Sequence, residues 1–126
     1  MTNSAEAMRA RTKTFALDVL EFARTLPPSE SLVDIRRQLT RAATAVGANY
    51  RSACRARSRA EFIARIGVVL EEADESAFWF EILVDQRSAI DRPRALALLD
   101  EANQLTAILA ATRITASRGR DREISD

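Results

Sequence analysis

Four amphipathic stretches separated by short connectors predict an all-α protein, an antiparallel up-down-up-down four-helix bundle. Two observations carry that prediction. Apolar residues recur in steps of three and four rather than alternating, and the 126 residues hold only three Gly and three Pro, too few for a turn-rich β chain. At this length one core is the expectation, because two would each sit near the size at which burial barely offsets chain entropy.

The first helix is expected over residues 4–26, with Met8, Phe15, Val19, Phe22 and Leu26 on its apolar stripe, beside Ala16, Leu20 and Ala23. Pro27-Pro28 ends it. Ser29 or Ser31 caps a second helix, 30–55, whose seam runs through Leu32, Ile35, Leu39, Ala42, Val46, Asn49 and Ala53, with Ala43, Tyr50 and Cys54 alongside. Ser58-Arg59-Ala60-Glu61 reads as a capping box, in which the serine oxygen accepts an amide three residues on and the glutamate reaches back to the cap amide. It opens a third helix, 59–88, seamed by Ile66, Val69, Ala73, Ser76, Phe80 and Leu83, with Ile63, Leu70, Ala77 and Val84 beside them. Asp91 caps the fourth, 92–117, with Pro93 tolerated in its first turn and Leu96, Leu99, Ala102, Leu105, Ile108 and Leu109 turned inward. Gly119 stands where such a helix terminates, leaving 118–126 as a polar tail.

Composition excludes several chemistries. With no His, an imidazole base, metal ligand or pH switch is impossible in this chain. Cys54, the one cysteine, permits neither an intrachain disulfide nor a thiolate zinc site, and an unpaired thiol suits the cytoplasm. Residues 1–11 lack the apolar stretch of a signal peptide, and no aliphatic run is long enough to span a bilayer. The glycines, 47, 67 and 119, form no phosphate-cradling loop. Glu71-Glu72-Ala73-Asp74-Glu75 matches the carboxylate half of the magnesium motif of the all-α nucleoside-triphosphate pyrophosphohydrolases, but the second Glu-x-x-Asp pair is missing downstream. That hydrolase is a remote alternative; no enzyme and no cofactor is the expectation.

Charge is segregated despite a formal total of +1. Eight arginines lie between Arg36 and Arg65 against the single acid Glu61, whereas Glu71 to Asp85 holds six acids and no base. Folding the second and third helices into a hairpin sets Arg41 near Asp74, so much of this charge is expected to pair. Arg51, Arg55, Arg57 and Arg59, nearest the turn, face few acids and are the candidate contacts for RNA or DNA phosphates. Phe78-Trp79-Phe80 cannot all face one core, since successive helical residues point about 100° apart. Phe80 falls on the seam, and Phe78, with Trp79 and Ile82, is a candidate subunit contact. Asn49, on a seam, is expected to hydrogen-bond across helices and fix their register.

Gln38-Leu39-x-Arg41-Ala42-Ala43, followed by Val46, Asn49, Ser58 and Glu61-Phe62, resembles the four-helix-bundle proteins encoded in intervening sequences of bacterial 23S ribosomal RNA genes. In that family the Asn precedes Ile-Ala-Glu-Gly, whereas here Tyr50-Arg51-Ser52-Ala53 follows Asn49. The resemblance implies a cytosolic bundle assembled as a ring of five chains, without established enzymatic activity. It also implies kinship of fold with the accessory variability proteins of diversity-generating retroelements, which bind nucleic acid on a basic ring surface. The expectation is therefore a non-enzymatic scaffold whose partners are its own copies, with RNA, DNA or an unidentified protein as further partners and no membrane.

Overall fold

Residues 4–125 are described by a computed structural model, with side chains described through Gly119. They form α1 (Ser4–Arg24), α2 (Glu30–Ala53), α3 (Arg59–Asp85) and α4 (Arg92–Ser125), and no strand occurs among them. Each helix packs on its chain neighbour and α1 closes against α4, so the bundle is antiparallel with α1 and α3 on one diagonal. No described helix is long and apolar enough to cross a membrane.

Local chemistry sets the helix starts. Ser29, in extended conformation, accepts the Leu32 amide through its side chain and starts α2. Ser58 does the same for the Glu61 amide at α3, and Asp91 for the Arg94 amide at α4. The capping box departs from expectation in one bond: Glu61 accepts the Arg57 amide at 3.1 Å, one residue before the cap. The Ser58 carbonyl begins the helical ladder by accepting from Phe62.

The core is the predicted stripe in α2 and α3, where Leu32, Leu39, Val46, Ile66, Val69, Phe80 and Leu83 are buried. Phe80 meets Phe22 of α1 with ring centroids 5.6 Å apart. In α1, Thr12 joins the core unforeseen, its hydroxyl donating to the Met8 carbonyl at 2.9 Å, which removes the penalty of burying it. Leu20, expected beside the α1 stripe, is exposed.

In α4 the inward face is rotated by one residue at its start: Ala95 and Leu98 are buried while Leu96 is exposed. Buried positions 95, 98, 102, 105 and 109 form one unbroken three-four series, which the apolar run Ala95–Leu99 leaves ambiguous until its phase is carried back from Leu109. The fourth helix also continues through Gly119 to Ser125 instead of ending near 117. Gly119 has no positive φ and is therefore no left-handed cap. A Cβ there would run into the Arg59 guanidinium, so glycine serves close packing of α3 on α4. Asp126, the last residue of the expected polar tail, lies outside the described residues.

Candidate functional site

The hairpin of α2 and α3 pairs its charges within the chain. Arg41 donates to Glu75 at 2.6 Å and reaches Glu72 at 3.5 Å, one residue after and two residues before the expected Asp74. Partial burial pushes the Glu75 carboxyl up, but hydrogen bonds from Arg41 and Trp79 outweigh it and hold the group below its ordinary value. Glu72, whose desolvation dominates, sits above it. At the turn, Arg65 donates to Glu61 at 2.9 Å and to the Ser52 hydroxyl. The Arg57 amide and Arg65 keep the Glu61 carboxyl below its usual range.

These bonds bear on the hydrolase alternative: Arg41 engages both Glu72 and Glu75, and Glu71 is exposed and outside that pair. Among the described residues no group of three or more His, Cys, Asp or Glu is arranged to hold a metal. Glu72 and Glu75 pair α3 with α2 through Arg41.

The four turn arginines do not form one patch. Arg51 and Arg55 line an open groove of about 610 Å³ between α1 and α2, together with Arg9 and Lys13, which the sequence reading did not single out. Arg59 lies on the other side, between α3 and α4, beside Phe62, Ile108 and Ala116, with its guanidinium against Gly119. Arg57 is exposed in the connection, where its backbone amide is held by Glu61. The signal for Arg9 and Lys13 was present: a fold that pairs α1 with α2 antiparallel sets residues near 10 against residues near 50. Gly47 meets the Thr12 carbonyl and the Lys13 Cα, which fixes that level.

The aromatic trio divides as its spacing requires. Phe80 is fully buried, Phe78 is 49% exposed, and Trp79 lies half-buried between them, donating to Glu75 at 3.4 Å. Phe78 and Trp79 meet edge to face at 5.1 Å. Val68 is also exposed, and Ile82, one turn beyond Phe78, is half-buried.

Asn49 departs from expectation. It is half-buried, no hydrogen bond links its side chain to another described residue, and no buried side-chain polar atom among them lacks a partner. Its amide therefore does not specify register; the phase of the apolar seams does. Cys54 is half-buried next to Tyr50, whose phenol is pushed up to about 12 by burial first and by Cys54 second, against the opposing pull of Arg9. Tyr50 is a neutral core residue.

Residues 7–111 match the family described as 23S rRNA-intervening sequence protein. The chain belongs to this family. The motif residues keep structural places in it: Arg41 joins α2 to α3, Ser58 and Glu61 cap α3, and Phe62 packs against the core. Among solved structures, the chain is similar to a crystal structure of a protein with unknown function from the S23 ribosomal protein family of Bacteroides thetaiotaomicron. The two are 26% identical with a TM-score of 0.76, covering 83% of this chain and 96% of that one. No curated protein matches it.

Proposed function

We propose that this family member acts as a non-enzymatic scaffold whose copies join head to tail into a ring, the outward face of α3 on one copy meeting the outward face of α1 on the next. The observation that carries the reading is Phe78, a large aromatic half exposed on the helix face turned away from its own core, with Ile82 one turn along. Leu17 and Leu20 are exposed on α1, across the diagonal. Two unlike apolar patches on opposite sides of one molecule suit a heterologous contact, which closes into a ring when the rotation per copy divides the circle. The α3 face carries exposed Glu71, Asp74 and Asp85, and exposed Arg24 lies one turn beyond Leu20 on α1. Five copies is the number the family resemblance implies. We place the assembly in the cytoplasm on the strength of the free thiol of Cys54.

Light scattering and native mass spectrometry test the contact. The wild-type protein is expected as a closed oligomer, and Phe78→Asp as smaller species with unchanged helix content. A monomeric wild type, or a variant of unchanged mass, refutes the proposal.

A further inference from the structure

We propose that the groove between the first half of α1 and the end of α2 binds the phosphodiester backbone of a nucleic acid strand. Its rails are Arg9 and Lys13 on one side and Arg51 and Arg55 on the other, and Thr44 also lines it. Small residues, Gly47 and Ala48 among them, keep its floor low. No acid lines it among the described residues, and none of the four cations has an ion-pair or hydrogen-bonding partner there.

The contrast with the other arginines gives this weight. Arg11 forks onto Glu101 at 2.7 and 2.9 Å, Arg41 takes Glu72 and Glu75, Arg65 takes Glu61, and Arg94 approaches Asp18 at 3.7 Å. Arg36 donates to the Ala23 and Leu26 carbonyls. Among the described residues the chain supplies partners to these and none to the four groove cations, a lack shared outside the groove by the side chains of Arg24, Arg57, Arg87 and Arg113.

Nor does the fold require cations there. Arg51 lies in the last turn of α2, where the helix dipole favours positive charge. Arg9 and Lys13 lie in the opening half of α1, where the dipole offers them nothing, and like charges four residues apart on a helix destabilise it. Arg9 and Lys13, facing Arg51 and Arg55, repel them until an anion sits between. Arg9 and Lys13 are spaced about 6 Å along their helix axis, so the rails offer successive positive positions along a line. The groove is open rather than enclosing, which fits an extended chain of phosphates better than a single ion. With no aromatic ring in its lining it has no platform for base stacking, so the contact it makes is to the backbone and indifferent to sequence.

The site lies at the level of residues 9–13 of α1, toward one end of the bundle from Leu17 and Leu20. The proposed α3-to-α1 contact therefore leaves it open, and a ring would repeat it around one rim. RNA and DNA share the chemistry, and the assay separates them. Fluorescence anisotropy of the full chain is measured with labelled single-stranded RNA and with duplex DNA over a salt series, for the wild type, for Lys13→Gln/Arg51→Gln, and for Arg87→Gln as an exposed cation outside both the groove and the proposed contact. All three are checked by circular dichroism for folding and by light scattering for mass.

The wild type is expected to bind with log affinity falling linearly in log salt. The double variant is expected to lose about tenfold or more in affinity and at least about 1.4 of the slope on a single strand, at about 0.7 per lost phosphate contact. Arg87→Gln stays near wild type. RNA binding without duplex binding, or the reverse, names the source and supports the groove. Absence of binding at low salt overturns the proposal, as does a double variant that binds like wild type. So does a double variant whose oligomer falls apart while the wild type ignores both nucleic acids, since the groove is then a seat for acidic protein. A monomeric wild type that binds normally overturns the ring and leaves the groove standing.

Discussion

Phe78 and Phe80 are two residues apart and opposite in environment, and truncating each to alanine separates core from contact surface. Phe80 is fully buried and packs on Phe22 at 5.6 Å. Phe80→Ala should destabilise the fold by about 3–5 kcal/mol through lost transfer energy and the cavity left behind, which includes the aromatic pair's about 0.5–1.5 kcal/mol. Phe78 is 49% exposed, so only about half of the roughly 1.5–3 kcal/mol attached to a buried large side chain is realised within one copy. Phe78→Ala should therefore cost the isolated chain about 1 kcal/mol. Its larger effect belongs to assembly: if copies meet through Phe78, the wild-type unfolding midpoint rises with protein concentration and that of Phe78→Ala does not. The assay is urea unfolding followed by circular dichroism over a wide range of protein concentrations. At a denaturant slope of about 1.5 kcal/mol/M, Phe80→Ala moves the midpoint by about 2 M or more at every concentration. Equal losses for the two variants at all concentrations would refute the outward placement of Phe78, and a concentration dependence that survives Phe78→Ala would refute its place in the contact.

Three further outcomes follow from the geometry. Gly67→Ala should stabilise by about 0.5–1 kcal/mol, because a Cβ there meets Arg113 no closer than 3.6 Å and the helix gains from lost chain entropy, whereas Gly47→Ala, 3.3 Å from the Thr12 carbonyl, should gain nothing in the same denaturation assay. Ser58→Ala should cost about 1 kcal/mol and raise amide exchange at Glu61, read by NMR. In a pH series, Tyr50 is protonated in the fold up to about 12, so its contribution is intact below pH 10 and is lost as pH rises from there through 12. Glu61 and Glu75, held low, contribute above their ordinary value of 4.5 and lose that contribution as pH falls below it, while Glu72, held high, opposes them; thermal melts at acid and alkaline pH report the net trend.

Helix positions were legible because capping and periodicity are local. Ser58 and Glu61 announce the start of α3 within four residues, and the three-four seams of α2 and α3 alternate cleanly enough with charge to fix which face is inward. Where the fold escaped the sequence, the deciding interaction lay elsewhere in the chain. The phase of α4 is ambiguous in Ala95–Leu99 because residues on every side of that turn are apolar, and only continuity with Ala102, Leu105 and Leu109 selects Ala95 and Leu98. Gly119 reads locally as a stop and is a packing glycine, because the group that needs the space, Arg59, is 60 positions earlier. Thr12 reads as polar and is buried, because its hydroxyl is satisfied inside its own helix. Asn49 reads as a buried amide needing a partner, yet half-burial leaves its polar atoms within reach of water.

The candidate surface was half legible for the same reason. Counting arginines along the chain finds a basic segment from Arg36 to Arg65, but a count treats every arginine as equally available to a ligand. The fold removes Arg41 and Arg65 from that pool by giving them Glu75 and Glu61, turns Arg59 toward α4, and adds Arg9 and Lys13 from a helix that looked unremarkable in charge. A formal total of +1 is thus compatible with a strongly positive groove, because what an anion meets is the unpaired remainder at one place. Seven of the eighteen acids lie on α3, where Glu72 and Glu75 are engaged by Arg41, and none of the described acids lines the groove. Segregation of this kind leaves one molecule with an anion-seeking groove and an acidic apolar face, and those two surfaces do not compete when the contact between copies falls at the level of Leu17 and Leu20.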